Sequence, residues 1–209
     1  MKIYILILCV SILKPLNGFA QTKKQVWESS DRQLLIQGLK SSLQDLMDET
    51  SDFSDVQILY KPDSSQWSIA EVLEHLGIYE ELLYWDLLNN QYTEERYDLV
   101  EKVKGIDSAM SAYASDPNKG QSSMVALPLG RFQTKKELLQ YFKLFRMEVI
   151  KLVEKTKVDF RLHFIFRPPD WGIWHIRDLH QYTLVWIAHT QRHLNQIKKI
   201  KSHPGFPNK

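Results

Sequence analysis

The chain has 209 residues, with 27 Lys and Arg against 25 Asp and Glu and 44% hydrophobic residues. That length suits one domain with a core of its own, and the near-neutral charge gives no electrostatic footprint for nucleic acid. One cysteine, Cys9, excludes a disulfide framework and a Cys-ligated zinc site.

The first twenty residues read as a secretory signal peptide. Lys2 precedes an apolar run from Ile3 to Leu13, and Gly18 and Ala20 are small residues at the −3 and −1 positions of a cut before Gln21. The run is too short to span a bilayer, although an uncleaved N-terminal anchor is the competing reading. Cys9 lies inside this run, and Leu8 stands where a lipoprotein cysteine needs a small residue before it. Residues 21–209 are then expected as a single exported domain, periplasmic or extracellular, with its core between about 30 and 200 and no stable membrane association. Loss of Lys2 and Lys14 leaves 25 basic residues against 25 acidic ones.

Four long amphipathic helices are predicted. The first runs from about Ser30 to Thr50, with Leu34, Leu35, Leu39, Leu43, Leu46 and Met47 at helical spacing. The second opens at a capping box, Ser68 to Glu71, and carries the stripe Ile69, Val72, Leu73, Leu76, Tyr79, Leu82 and Leu83, with His75 inside it. Residues 92–131 give one or two short helices and then a loop broken by Pro117, Gly120, Pro128 and Gly130. The third long helix starts at a second box, Thr134 to Glu137, and carries Leu138, Leu139, Phe142, Phe145, Met147, Val149, Ile150 and Val153. An aromatic stretch follows, with a weak strand signal around DFRLHFIF and with Pro168, Pro169 and Gly172 as breakers. The fourth long helix is predicted from about Ile176 to Ile200, with Leu179, Tyr182, Trp186, His189, His193, Ile197 and Ile200 on one face. Four such helices with one long crossover in the middle predict an all-α four-helix bundle.

Three of the seven histidines fall on core stripes. His189 and His193, four apart, stand about 40° apart around a helix and roughly 6 Å apart along it, so both can reach one ion. His75 on a facing helix completes a set of three, and bundle cores build metal sites in this way. Three protein ligands leave positions for water or substrate. For each histidine taken singly, a hydrogen-bonded core residue is the alternative. Imidazole suits zinc, nickel, copper and iron, so the divalent metal is not specified. His163, His175 and His180 read as loop or surface residues and His203 as part of the tail.

Three segments, WSIAEVLEHL (67–76), LPLGRFQTKKELLQYFKLFRMEVI (127–150) and HTQRHLNQI (189–197), together resemble the DinB/YfiT-like superfamily. The likeness extends from about residue 30 to residue 200. It implies a DinB-like four-helix bundle with a divalent metal held by three histidines, which are His75, His189 and His193 at the matching positions. Members of the superfamily include thiol-dependent transferases, hydrolase-like proteins and others without known activity.

In HTQRH, Thr190 stands where zinc proteases carry their glutamate base, so a peptidase of that kind is not expected. Glu71 and Glu74 lie near His75, but capping accounts for Glu71 and a solvent-facing position for Glu74. Arg192 fits either an anion clamp or a salt bridge to a neighbouring helix, and Gln196 flanks the same pair. Tyr79, Tyr182 and Trp186 suit a pocket wall or plain core. The reading ranked first is a metal-dependent, hydrolase-like enzyme acting on a small molecule. A thiol S-transferase ranks second, since low-molecular-weight thiols are mainly cytosolic, and a non-catalytic metal-binding or stress-response module third. A homodimer is compatible with the sequence, but no exposed heptad seam compels one.

Overall fold

The computed structural model describes residues 25–116, 124–167 and 175–208. The leader and the breakers Pro117, Gly120, Pro168, Pro169 and Gly172 lie outside these residues. Among the described residues no helix is long and apolar enough to cross a membrane.

Helix α1 spans Ser29–Thr50, a single turn α2 spans Asp55–Ile58, and α3 spans Ile69–Asn90. Two short helices, α4 (Tyr97–Val103) and α5 (Asp107–Ser115), begin the crossover, and a 3₁₀ turn at Met124–Ala126 leads towards α6 (Lys135–Lys155). Two three-residue strands, β1 (Phe164–Phe166) and β2 (Ile176–Asp178), pair antiparallel with Phe164 opposite Asp178, and α7 (Leu179–Lys201) closes the bundle. Both predicted capping boxes are present: Ser68 Oγ accepts from the Glu71 N–H at 3.2 Å, and Thr134 Oγ1 from the Glu137 N–H at 3.3 Å.

α7 starts three residues later than the periodicity predicts. Asp178 holds an extended backbone (φ −76°, ψ 168°) and its Oδ1 accepts from the Gln181 N–H at 2.7 Å, so it is the N-cap. Ile176 to Asp178 form β2 instead, pairing with the weak strand signal predicted upstream. Leu34 and Met147, both predicted on apolar faces, are exposed.

α1 and α3 each pack against both α6 and α7, so α1 lies diagonally opposite α3, and α6 diagonally opposite α7, while α3 and α6 are packed neighbours. The contacts give the directions. Arg32 near the start of α1 hydrogen-bonds the Val153 carbonyl near the end of α6, while Glu49 near the end of α1 meets Lys201 at the end of α7. Tyr79 and Asp86 of α3 meet Trp186 and Tyr182 of α7 in reverse order, whereas Gly77 and Tyr84 meet Tyr141 and Phe145 of α6 in the same order. The order is therefore up, down, down, up. Parallel neighbours cannot be joined by a tight turn, so the α3 to α6 connection must run back along the bundle, which explains the long crossover over residues 91–134.

The core falls into two apolar clusters. One gathers Leu35, Leu39, Leu83, Leu87, Val149, Val153 and Trp186; the other gathers Leu46, Leu73, Leu76, Leu138, Phe142, Leu194 and Ile197. Along α3, α6 and α7 the stripe passes from one cluster to the other through polar residues: Glu80, Arg146, and His189 with Thr190 and His193. The middle of the bundle is therefore a buried polar layer.

Candidate metal centre

His75 comes from the middle of α3, and His189 and His193 from successive turns of α7, which runs antiparallel to it. All three are buried, at 2%, 9% and 4% exposure, with His189 the most open. His189 Nε2 lies 3.3 Å from His75 Nε2 and 3.1 Å from His193 Nε2, and the three ligand atoms all fall within 4.8 Å of one another. Nitrogens bound at 2.0–2.1 Å to a tetrahedral ion stand about 3.4 Å apart, so these separations fit one ion.

The other ring nitrogens set the tautomers. His75 Nδ1 donates to the Ala126 carbonyl at 2.7 Å, and His193 Nδ1 donates to Gln196 Oε1 at 2.8 Å. Each bond leaves Nε2 with its lone pair turned inward, as a metal ligand requires. Burial lowers the pKa of His75 to about 4; Arg192 works in the same direction and the Ala126 bond opposes it. Burial, then His75 and Arg192, lower His193 to about 2. Both rings are therefore neutral near pH 7, the form that binds metal.

Aromatic rings enclose the cluster. Trp67 lies 4.8 Å from His75 and stacks at 6.5 Å on His193, and Tyr79 contacts His75 and His189, each at 4.7 Å between centroids. Trp186 meets His189 at 5.3 Å, and Tyr182 stands one layer further out against Trp186, its hydroxyl donating to Asp86.

Neither glutamate beside His75 is placed to act on substrate. Glu71 caps α3 and pairs with Lys61 at 2.7 Å. Glu74 does not face solvent: it is 2% exposed and accepts from the Gly130 N–H at 2.8 Å, the Arg131 N–H at 3.2 Å and Arg131 Nε at 3.1 Å. Burial alone would raise its pKa, but these donors and the Leu129 N–H hold it below the usual carboxylate range. Gly130 has φ +68°, a left-handed turn that a side chain would strain. Glu74 thus fastens the stretch just after Ala126, whose carbonyl orients His75.

Two histidines read as loop or surface residues are buried. His180 is fully enclosed, its Nδ1 accepting from Trp27 Nε1 at 3.1 Å, and His163, 5% exposed, is bonded to Thr93 at 3.2 Å. His175 bonds the Arg167 carbonyl and His203 is exposed in the tail. Sequence reading also missed Arg146 and Glu80, at 0% and 1% exposure. Arg146 Nε and Nη2 both reach the Glu80 carboxylate at 2.6 Å, Nη1 donates to the Leu39 carbonyl and Ser42 Oγ, and Nη2 donates to Thr190 Oγ1 at 2.8 Å. Thr190 thus belongs to this ion pair, on a different side of α7 from the histidines.

Three inward imidazoles in the polar middle of a four-helix bundle define a class of protein, the helical bundle with a histidine centre. The chain belongs to the DinB superfamily, whose family profile matches residues 39–197. The solved structure of YfiT from Bacillus subtilis, described as a probable metal-dependent hydrolase with an unusual four-helix bundle topology, is similar to it with a TM-score of 0.61 and 13% identity, over 88% of this chain and 93% of that one. No curated protein matches the chain in sequence.

Proposed function

We propose that the protein is a metal-dependent enzyme of the hydrolase kind, with His75, His189 and His193 as the ligands of one divalent ion. The observation that carries this reading is the spacing of 3.1 and 3.3 Å between Nε2 atoms, combined with hydrogen bonds that turn the lone pairs of His75 and His193 inward. The hydrolase class draws support from the description of YfiT and from a donor set of three, which leaves coordination positions for substrate and water. When bound, such an ion supplies Lewis-acid chemistry, polarising a substrate oxygen and activating water.

The chain's own residues prepare that centre. Ala126 and Gln196 hold two rings in the ligating tautomer. Trp67, Tyr79 and Trp186 fill the space beside the rings and keep bulk water from it. Among the described residues, no carboxylate joins the ligand group. The leader-like start over residues 1–20 supports an exported enzyme.

Elemental analysis after chelation and reloading with zinc, nickel or iron tests the assignment. One ion per chain is expected in the wild type, with loss of most of it in His75→Ala, His189→Ala and His193→Ala. Metal retained undiminished in all three variants would falsify the ligand set.

A further inference from the structure

Arg192, between the two ligand-bearing turns of α7, has an arrangement that the metal reading leaves unused. Its Nη2 donates to His193 Nε2 at 2.9 Å, the lone pair that a metal ion would take. Its Nε is buried without a hydrogen-bond partner, and among the described residues Arg192 forms no ion pair, so the salt bridge to a neighbouring helix is not made. The Tyr79 phenol and the Asp116 carboxylate lie within electrostatic reach and oppose the lowering of its pKa by burial. A half-buried guanidinium with spare donors, held beside three neutral imidazoles, is a costly arrangement unless an anion joins it.

A divalent ion on the three Nε2 atoms removes the acceptor that Arg192 now uses and repels its charge. The guanidinium must then turn its planar fork to another acceptor, and an anion in the ion's remaining positions supplies one beside it. We propose that Arg192 is a positioning residue that selects a substrate bearing an oxyanion, a carboxylate or a phosphate group, at the metal centre. In the metal-free protein the same residue occupies the metal's place on His193. This rests on the metal-centre reading above.

The test uses the full chain loaded with cobalt, whose visible absorption reports ligands entering the metal's open positions. Wild type, Arg192→Gln and Arg192→Lys are each titrated with acetate, with inorganic phosphate and with neutral imidazole. Loss of one charge-assisted hydrogen bond predicts that Arg192→Gln binds acetate and phosphate about tenfold more weakly. Imidazole affinity and cobalt stoichiometry stay as in the wild type, and Arg192→Lys recovers part of the oxyanion affinity. Weakening of one oxyanion alone assigns the substrate group to that class. Cobalt uptake with both oxyanion affinities unchanged in Arg192→Gln overturns this proposal alone, as does equal weakening of imidazole and the oxyanions. Failure of the wild type to take up cobalt overturns the metal-centre reading and the proposal with it.

Discussion

At the scale of single residues, the centre depends as much on the partners of its rings as on the rings. Gln196 sits one turn beyond His193 and accepts from its Nδ1, fixing the side of the ring that carries the proton. Removing such a partner typically lowers metal affinity by about 10–100-fold without removing a ligand. Gln196→Leu is therefore expected to keep one ion per chain at saturation but to need about 10–100-fold more free zinc to reach it. Competitive titration against a chelating dye measures this, and an affinity equal to wild type would remove Gln196 from the account. The clustering of the three histidines was legible in the sequence, because two at a spacing of four and one on a facing helix all lie on stripes set by leucine and isoleucine. Arg192 was legible only as a choice between clamp and salt bridge, since a sequence does not show which acceptors lie nearby.

At the scale of elements, the four long helices are tied together by one ion pair. Arg146 of α6 places all five of its N–H donors: on Glu80 of α3, on Leu39 and Ser42 of α1, and on Thr190 of α7. Taking one partner away leaves the other charged and buried, which costs about 3–5 kcal/mol, whereas replacing both with apolar residues of similar volume is often neutral. Urea unfolding should therefore show Arg146→Met and Glu80→Leu each strongly destabilised and the double variant close to wild type. Additive losses would contradict this view of the pair. The sequence held a signal for it: Arg146 falls in register between Phe142 and Val149, and Glu80 between Leu76 and Leu83. A stripe traced through apolar residues alone passes over charges of this kind. The same habit misplaced the start of α7, where apolar periodicity continued through Ile176 although Asp178 and Gln181 form a capping box. The strands are three residues each, so β1 left only the weak signal in DFRLHFIF and β2, too short for alternation to mark it, left none.

At the scale of the whole molecule, a second polar network secures the end of the bundle where the described chain begins. Asp159 accepts from the Val26 and Trp27 N–H groups, Trp27 stacks on Phe160 at 4.6 Å, and Arg161 joins Asp31 of α1, Asp107 of α5 and the α7 cap Asp178. His180 lies inside this network because α7 is covered by α1 and α5 as well as by α3, so a residue one step off the histidine-bearing stripe is still interior. Burial, reinforced by Arg161, lowers the His180 pKa to about 4, against the opposing pull of Asp31 and Asp107. The unfolded chain takes up that proton first as pH falls, near its ordinary pKa of about 6.5. The contribution of a neutral His180 is therefore complete above that pH and drains away as pH drops towards 4. Burial also pushes the Asp178 carboxyl up to about 6, against the pull of Arg161, which gives the opposite slope. Comparison with His180→Phe, which retains Asp178, isolates the histidine. The melting-temperature advantage of wild type over the variant should shrink between pH 6.5 and about pH 4, and a difference constant with pH would contradict the neutral, buried assignment.

X-ray absorption at the metal edge of the zinc-loaded protein bears most directly on the central claim that three imidazoles in the polar middle of the bundle hold one ion. The account predicts three imidazole nitrogens at about 2.0–2.1 Å with oxygen completing the shell, and one imidazole fewer in His75→Ala. A shell made of oxygen donors, or three imidazoles persisting in that variant, would contradict it.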